Sequence, residues 1–381
     1  MPAYLDHNAT TPLEATALEA MLPYLREQFG NPSSVHRHGR RARAAIDAAR
    51  EQVAALVNAH PSQVIFTSGG TEANNLAIQG IAARHRPGRI LIGATEHPSV
   101  VEAATSLSDQ GWHIEHLPVD DQGCLRHEVL KEALQPVPAL VSVMTANNET
   151  GVVQDMTAIA ALVRDSGALL HTDAVQAAGK IALDFSASGA HLMSLSAHKI
   201  GGPKGVGALI VDKAVDMKPL LHGGGQEKGR RSGTENVAAI VGFGAAATVV
   251  RERLAAYGLR LSRLRELLEA GLRGFHGIEI FAANAQRVPN TVCFGVHGMD
   301  GETLVLNLDR LGFAVSSGSA CASGSNEPSP VLLAMGVERE LARGSLRVSL
   351  GWNNTETDVE EFLRALGTVL ASREQRHAVN A

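Results

Sequence analysis

Cysteine is scarce in this chain: 381 residues hold three, Cys124, Cys293 and Cys321. No two of them stand in a Cys-x-x-Cys pair. That excludes a disulfide framework and the usual zinc spacings, and it fits a reducing compartment. A surplus of positive charge is also missing. The formal net charge is −5, so no global basic footprint for nucleic acid exists. The local run Arg40-Arg41-Ala42-Arg43 reads as the solvated face of a helix. Long apolar runs are absent too. The longest, Val237 to Val250, is too short and too interrupted by glycine to span a membrane, and reads as a buried helix. The opening Met1-Pro2-Ala3-Tyr4-Leu5-Asp6-His7 lacks the basic and apolar regions of a secretory leader. Internal repeats and low-complexity segments are not seen. These absences predict a cytoplasmic protein with no membrane and no nucleic-acid partner.

What is present is 45% hydrophobic residues, enough for a large domain plus a smaller one. Strand and helix patterns alternate from about Val64 to Asp212, which predicts a mostly parallel sheet with helices on both faces. A helix-rich stretch follows from Glu235 to Ala270. It contains Gly242-x-Gly244-x-x-Ala247, a weak dinucleotide-like match in the wrong context, because it lies inside a helical pattern. A smaller α+β part has predicted strands near Ile278–Phe281, Val292–Val296, Phe313–Ser316 and Leu346–Leu350. The expected division is a large α/β domain over 12–257 and a small α+β domain over 258–381, with segment 1–11 packing near the small one and the site cleft.

The chemistry gathers at the ends of the apolar runs. His191-Leu192-Met193-Ser194-Leu195-Ser196-Ala197-His198-Lys199 delivers a lysine at a strand end, followed at once by glycines. A desolvated amine there has a lowered pKa and can hold a carbonyl compound as a Schiff base. Ala168-Leu169-Leu170-His171-Thr172-Asp173 ends in an acid that can pair with a protonated pyridine nitrogen, and Gln176 follows three residues on. Val64-Ile65-Phe66-Thr67-Ser68-Gly69-Gly70-Thr71-Glu72 passes from strand to helix through glycines. Backbone amides at such a helix start, with the Thr71 hydroxyl, bind anions. No Gly-Lys-Ser/Thr follows, so this is not a nucleoside-triphosphate loop. Arg89 to His97 ends in a histidine able to stack on a ring and shuttle protons. Leu140 to Met144 leads into Asn147-Asn148-Glu149-Thr150-Gly151. Thr71, His97, Asn148, Asp173 and Lys199 thus fall at the carboxyl ends of successive strands, where open α/β sheets bind ligands.

Two further stretches stand out. Cys321 lies in Ser316-Ser317-Gly318-Ser319-Ala320-Cys321-Ala322-Ser323-Gly324-Ser325-Asn326-Glu327, a composition that predicts a loop rather than a core. A thiol in such a setting is expected to be reactive. Arg347, in Ser345-Leu346-Arg347-Val348-Ser349, can clamp a carboxylate with its planar fork. His222-Gly223-Gly224-Gly225 looks like an oxyanion-hole motif, but no Gly-x-Ser-x-Gly elbow accompanies it.

Taken together these motifs resemble the cysteine desulfurases, pyridoxal phosphate enzymes of fold type I in the class V aminotransferase family. The likeness runs almost end to end. It includes Tyr4-Leu5-Asp6-His7-Asn8-Ala9-Thr10-Thr11-Pro12, Ser196-Ala197-His198-Lys199 and Arg230-Arg231-Ser232-Gly233-Thr234-Glu235-Asn236, and it is strongest with the iron–sulfur-assembly branch. The resemblance implies pyridoxal 5'-phosphate held by Lys199 as a Schiff base, with Lys199 later moving the α-proton. Asp173 would serve the pyridine nitrogen and Gln176 the phenolic oxygen. Gly70, Thr71, Ser196 and His198 would hold the phosphate, joined by Thr234 from a second subunit of a homodimer. His97 would stack on the ring as acid/base. Asn148 and Arg347 would orient the carboxylate of L-cysteine. Cys321 would take the sulfur as a persulfide, release L-alanine, and deliver to an iron–sulfur scaffold or another acceptor protein. No stable metal site is implied, though Cys321 could ligate iron transiently.

Overall fold

The computed structural model of the chain describes residues 3–318 and 327–380. Its strands are β1 (Ala3–Tyr4), β2 (Val64–Thr67), β3 (Arg89–Gly93), β4 (His113–Leu117), β5 (Leu140–Ser142), β6 (Leu169–Asp173) and β7 (Leu192–Ser196). They continue as β8 (Gly207–Val211), β9 (Ile278–Ile280), β10 (Thr291–Val296), β11 (Phe313–Ala314), β12 (Ser316–Ser317) and β13 (Ser345–Ser349). Seven of them form one sheet in the order β2-β8-β7-β6-β5-β3-β4. Its pairings are parallel except those of β8, which runs against both β2 and β7. β2 therefore points the same way as β3 to β7, and the carboxyl ends of β2, β3, β5, β6 and β7 meet on one edge.

Both faces of this sheet are covered, which is why its strands read as continuous Val/Ile/Leu runs rather than alternating ones. Every residue of β2, β5, β7 and β8 is buried. On one face Phe66, Leu91, Val141 and Leu170 meet Ile46 and Val53 of the helix Arg37–Leu56, Ile159 of Met156–Ser166 and Phe243 of Val237–Leu272. On the other face Ile65, Ile90 and Leu140 meet Leu76 and Ile81 of the helix Gly70–Ala82 and Val100 of Pro98–Thr105. Each such side chain taken from water contributes roughly 1.5–3 kcal/mol.

A four-stranded sheet, β12-β13-β10-β9, carries a separate core around Phe294, Val348, Leu268 and Phe362. One helix, Val237–Leu272, serves both cores. Ile240, Phe243 and Val250 belong to the first, and Leu261, Leu264, Leu268 and Leu272 to the second. Asn236 caps its start by accepting the Ala239 N–H at 3.2 Å. The glycines at 242 and 244 prove to be packing devices. A Cβ on Gly244 would lie 2.8 Å from Ala49 Cα, and one on Gly242 would lie 2.6 Å from Met21 Sδ. They let the helices cross closely.

The strand expected over Phe313–Ser316 is two strands. Phe313 and Ala314 pair in parallel with β1, whereas Ser316 and Ser317 pair with β13, so a change of partner breaks the run. The N-terminal segment spans the two sheets. Leu5 N–H donates to Ala314 O and His7 N–H to Ser349 O, and then Thr11 N–H donates to His198 O. Among the described residues no helix is long and apolar enough to cross a membrane.

Candidate active site

A cavity of about 320 Å³ opens at the carboxyl edge of the large sheet. Gly70, Thr71, His97, Asn148, Asp173, Gln176, Ser196, His198, Lys199 and Arg347 all line it, together with Asn8, Asn74 and Ser99. The structure thus brings together the sequence-derived candidates with two exceptions. Thr234 is exposed and is not among the lining residues. Cys321 lies outside the described residues.

The anion cradle comes from the turn after β2. The helix Gly70–Ala82 starts from Gly69 with no side-chain cap, so its first amides remain available to an anion. This turn can lie against the sheet only because position 207 lacks a side chain: a Cβ there would stand 2.6 Å from the Gly69 carbonyl carbon. Ser196, at the end of β7, adds a buried hydroxyl with no partner among the described residues. A buried donor left unpaired costs about 1–3 kcal/mol. Here it borders the cavity beside Gly70 and His198, where a phosphate oxygen would satisfy it. Burial, reinforced by Lys199 and Lys204, pushes His198 down to about 4, so its imidazole is neutral at physiological pH. Its Nδ1 lies 3.2 Å from Thr10 Oγ1.

Asp173 ends β6 with its carboxylate held at both oxygens. Oδ1 accepts the Val175 N–H at 2.9 Å and Oδ2 accepts Asn74 Nδ2 at 2.7 Å. Asn74 also donates to Ser99 Oγ at 2.8 Å. Ser99 in turn lies 2.7 Å from His97 Nδ1, which also accepts the Ser99 backbone N–H at 3.1 Å. Nδ1 is therefore an acceptor, and the neutral ring carries its proton on Nε2. Burial holds the His97 pKa below the usual histidine value, against the opposing charge of Asp173 and with the help of Lys199. The chain Asp173–Asn74–Ser99–His97 thus sets the tautomer of the ring. Lys199 Nζ donates to the carbonyls of Asn8 (2.6 Å) and Ala9 (2.8 Å).

The opposite wall belongs to the smaller sheet. Arg347, in the middle of β13, pairs with Asp6 at 2.7 Å and donates to the Asn148 carbonyl at 3.1 Å. Its Nε is buried without a partner among the described residues. Asn148 sits in a turn organised by Asn147, whose Oδ1 accepts the N–H groups of Glu149 and Thr150, each at 2.9 Å. Gly151 closes the turn at φ 78°, and a Cβ on it would come 2.9 Å from Thr291 Cβ. Asn8 stitches the walls together, donating from Nδ2 to the Asn148 carbonyl at 3.1 Å and to Thr291 Oγ1 at 2.9 Å.

The segment bearing Thr234 is pinned from below. Arg50 and Glu227 form a buried pair at 2.6 Å, and Glu227 also accepts the Phe66 N–H at 2.9 Å. Arg231 pairs with Glu72 at 2.8 Å. Removing one partner of such a buried pair is costly, because the other charge is left uncompensated.

Asn8, Asn74, Ser99 and Asp6 escaped the sequence reading. Asn74 was findable: on a helix it lies one turn beyond Gly70 and Thr71, on their face. Asp6 and Asn8 lie in the N-terminal stretch that carries the resemblance, though with no role attached to either, and Ser99 carries no local signal.

The fold is thus that of a fold-type I enzyme, and residues 3–362 match the family model described as aminotransferase class-V. A cysteine desulfurase (IscS) of Clostridium botulinum is 42% identical over 377 residues, covering 98% of this chain and 95% of its own. A solved structure described as a NifS-like protein superposes with a TM-score of 0.91 at 37% identity, covering 97% of this chain and 100% of that one. Another, described as SspA in complex with cysteine, gives a TM-score of 0.81 at 31% identity, over 91% of this chain and 98% of that one. The chain belongs to the aminotransferase class-V family, and within it to the cysteine desulfurases.

Proposed function

We propose that the cavity binds pyridoxal 5'-phosphate and L-cysteine together, and that the enzyme converts L-cysteine to L-alanine while the sulfur passes to Cys321 as a persulfide. The observation that carries this reading is the convergence of Lys199, Asp173, His97 and the unpartnered Ser196 hydroxyl with Asn148 and Arg347 around one cavity. The neighbour described with bound cysteine supports the substrate.

The residues fit the cofactor. The amides of Gly70 and Thr71, with Ser196 and His198, would hold its phosphate. Asp173 would serve its ring nitrogen and Gln176 its ring oxygen, and Lys199 would hold it covalently through Nζ. When bound, pyridoxal phosphate supplies an electron sink that acidifies the substrate Cα–H and weakens its Cβ–S bond. Lys199 Nζ takes and returns the proton at Cα. His97 would cover the ring and present Nε2–H as a proton donor, because Nδ1 is engaged by Ser99. Arg347 and Asn148 orient the substrate carboxylate. The Cys321 thiolate attacks the substrate sulfur, and the carbon skeleton takes up protons and leaves as alanine. An iron–sulfur scaffold or another acceptor protein then collects the sulfur.

We also infer a cytoplasmic homodimer in which Thr234 completes the partner's phosphate site. Its exposure away from this chain's own cavity supports that, as do the exposed Leu18, Leu25, Phe29 and Val35. A fully active monomer in sedimentation overturns the dimer.

The test of the reaction is alanine and sulfide release from L-cysteine with a reductant, comparing wild type with Cys321→Ala while following visible absorbance. Retained absorbance with lost sulfur release supports the reading. A variant as active as wild type on cysteine overturns the persulfide step.

A further inference from the structure

Lys180 lies in the turn after β6, seven residues beyond Asp173, and the roles above leave it unused. Its Nζ donates to Gln176 Oε1 at 2.6 Å and to Asn8 Oδ1 at 2.7 Å. Both acceptors are buried and line the cavity. Nζ is the donor in both contacts, so each amide presents its oxygen to it. Gln176 must then turn its nitrogen the other way. There Nε2 donates to the Asn8 carbonyl at 2.9 Å, with a second N–H to spare. The same Asn8 carbonyl receives Lys199 Nζ at 2.6 Å. Asn8 Oδ1 also accepts Asn290 Nδ2 at 3.1 Å, which leaves its own Nδ2 for Thr291 and the Asn148 carbonyl. One lysine nitrogen thus fixes the sense of two amides, one on each side of the cleft.

The location is costly for a lysine. Burial, with Lys199 and Arg347 as cationic neighbours, pushes its pKa well below the ordinary lysine value. Packing alone does not explain a lysine kept there, since an apolar side chain would avoid the desolvation.

We propose that Lys180 is a positioning residue for the cofactor: it turns Gln176 Nε2 toward the cofactor's ring oxygen and holds the Asn8 carbonyl on which Lys199 rests. This rests on the pyridoxal phosphate reading above.

The test compares wild type, K180M, K180R, Q176A and K180M/Q176A, each purified with added pyridoxal phosphate. Two quantities are read: the visible absorption maximum and the dissociation constant of the cofactor. K180M is expected to shift the maximum and weaken retention about tenfold, the worth of one buried hydrogen bond. Q176A should do the same, the double variant should be no worse than either single, and K180R should recover part of the loss. A K180M protein with the wild-type spectrum and affinity overturns the proposal. So do effects that multiply in the double variant, because they mean Lys180 does not act through Gln176. Should K180M fail to fold, K180Q, whose amide is neutral and shorter, carries the same comparison. Failure of the cofactor reading is distinct: wild type itself would then show no visible band with pyridoxal phosphate.

Discussion

The two walls of the cleft are built differently. The sheet wall places Gly70, Thr71, Asp173, Ser196 and Lys199 at or just beyond the ends of strands of one sheet, where each is aimed by the backbone at the end of its own strand. The facing wall is held by bonds between remote parts of the chain. Arg347 reaches Asp6 across 341 positions, and Asn148 accepts from Arg347 across 199. A strand end can therefore be formed wherever the sheet forms, whereas the Arg347 clamp exists only when both cores and the N-terminal segment have docked. The division matches the chemistry. On the function proposed above, the first wall would hold the cofactor and the second would choose the substrate. Damage to the first should abolish chemistry without touching assembly, and damage to the second should weaken substrate capture and the joint between the cores.

The largest expected effect tests the first half of that contrast. Lys199→Ala should lower kcat by at least ~10³-fold, because it removes the group proposed to move the Cα proton. Its thermal midpoint without cofactor should stay near wild type, since Lys199 is half-buried at the cavity, belongs to neither hydrophobic core, and donates to backbone carbonyls of the N-terminal segment. Steady-state alanine release and a melting curve check both. A midpoint fall like that of a buried-core variant would erase the distinction between the walls.

Next comes Arg347→Ala, expected to lower kcat/KM for L-cysteine by about 10²–10³-fold, mainly through KM. Truncating one partner of a buried, hydrogen-bonded charge pair costs roughly 2–5 kcal/mol. The visible band of the bound cofactor should be little changed. If KM stays constant while the band is lost, Arg347 belongs to the cofactor wall and the division drawn here is wrong.

The same contrast explains what could be read from the chain. The sheet wall was legible because its signals are local: an apolar run, then Gly69-Gly70-Thr71, Asp173 or Ser196-Ala197-His198-Lys199. Arg347 was legible as an arginine on an alternating strand, but its pairing with Asp6 was not, because nothing in either segment encodes a partner so far away. Asn8 sits in a stretch whose spelling carried the family likeness, yet its role as a stitch between walls emerges only with Asn148, Thr291, Asn290 and Lys180 around it. The break between β11 and β12 had the same origin, since the partners β1 and β13 lie far apart in the chain. The long helix was legible as helix, but its service to two cores depends on where its two halves land.

Glu149 offers a pH-dependent probe of the second wall. Buried beside Asn148, it accepts a hydrogen bond from Ser329, and desolvation raises its pKa from 4.5 to about 7, against the opposing pull of Ser329 and Arg347. The folded protein therefore binds this proton more tightly than the unfolded chain. The stability contributed is fully present below the unfolded value and is lost as pH rises through about 7. Between pH 5 and 8 this amounts to about 2 kcal/mol. Glu149→Gln keeps the neutral form's shape, so its thermal midpoint should fall less than that of wild type over this range. Parallel curves for the two proteins would mean that Glu149 does not titrate in the folded joint.

The smallest effect returns to the sheet wall and is its most specific test. Thr71 is exposed and its hydroxyl makes no hydrogen bond among the described residues, whereas its backbone carbonyl accepts from Asn75 and is untouched by substitution. Thr71→Ala should thus leave the midpoint of the cofactor-free protein within about 0.5 kcal/mol of wild type in stability. Its affinity for pyridoxal phosphate should fall about tenfold, the worth of one hydrogen bond to a charged oxygen. Pyridoxal, which lacks the phosphate, should bind the two proteins equally. That last comparison decides the matter: if Thr71→Ala weakens pyridoxal as much as pyridoxal phosphate, the turn after β2 is not the phosphate cradle, and the anion must lie elsewhere on this wall.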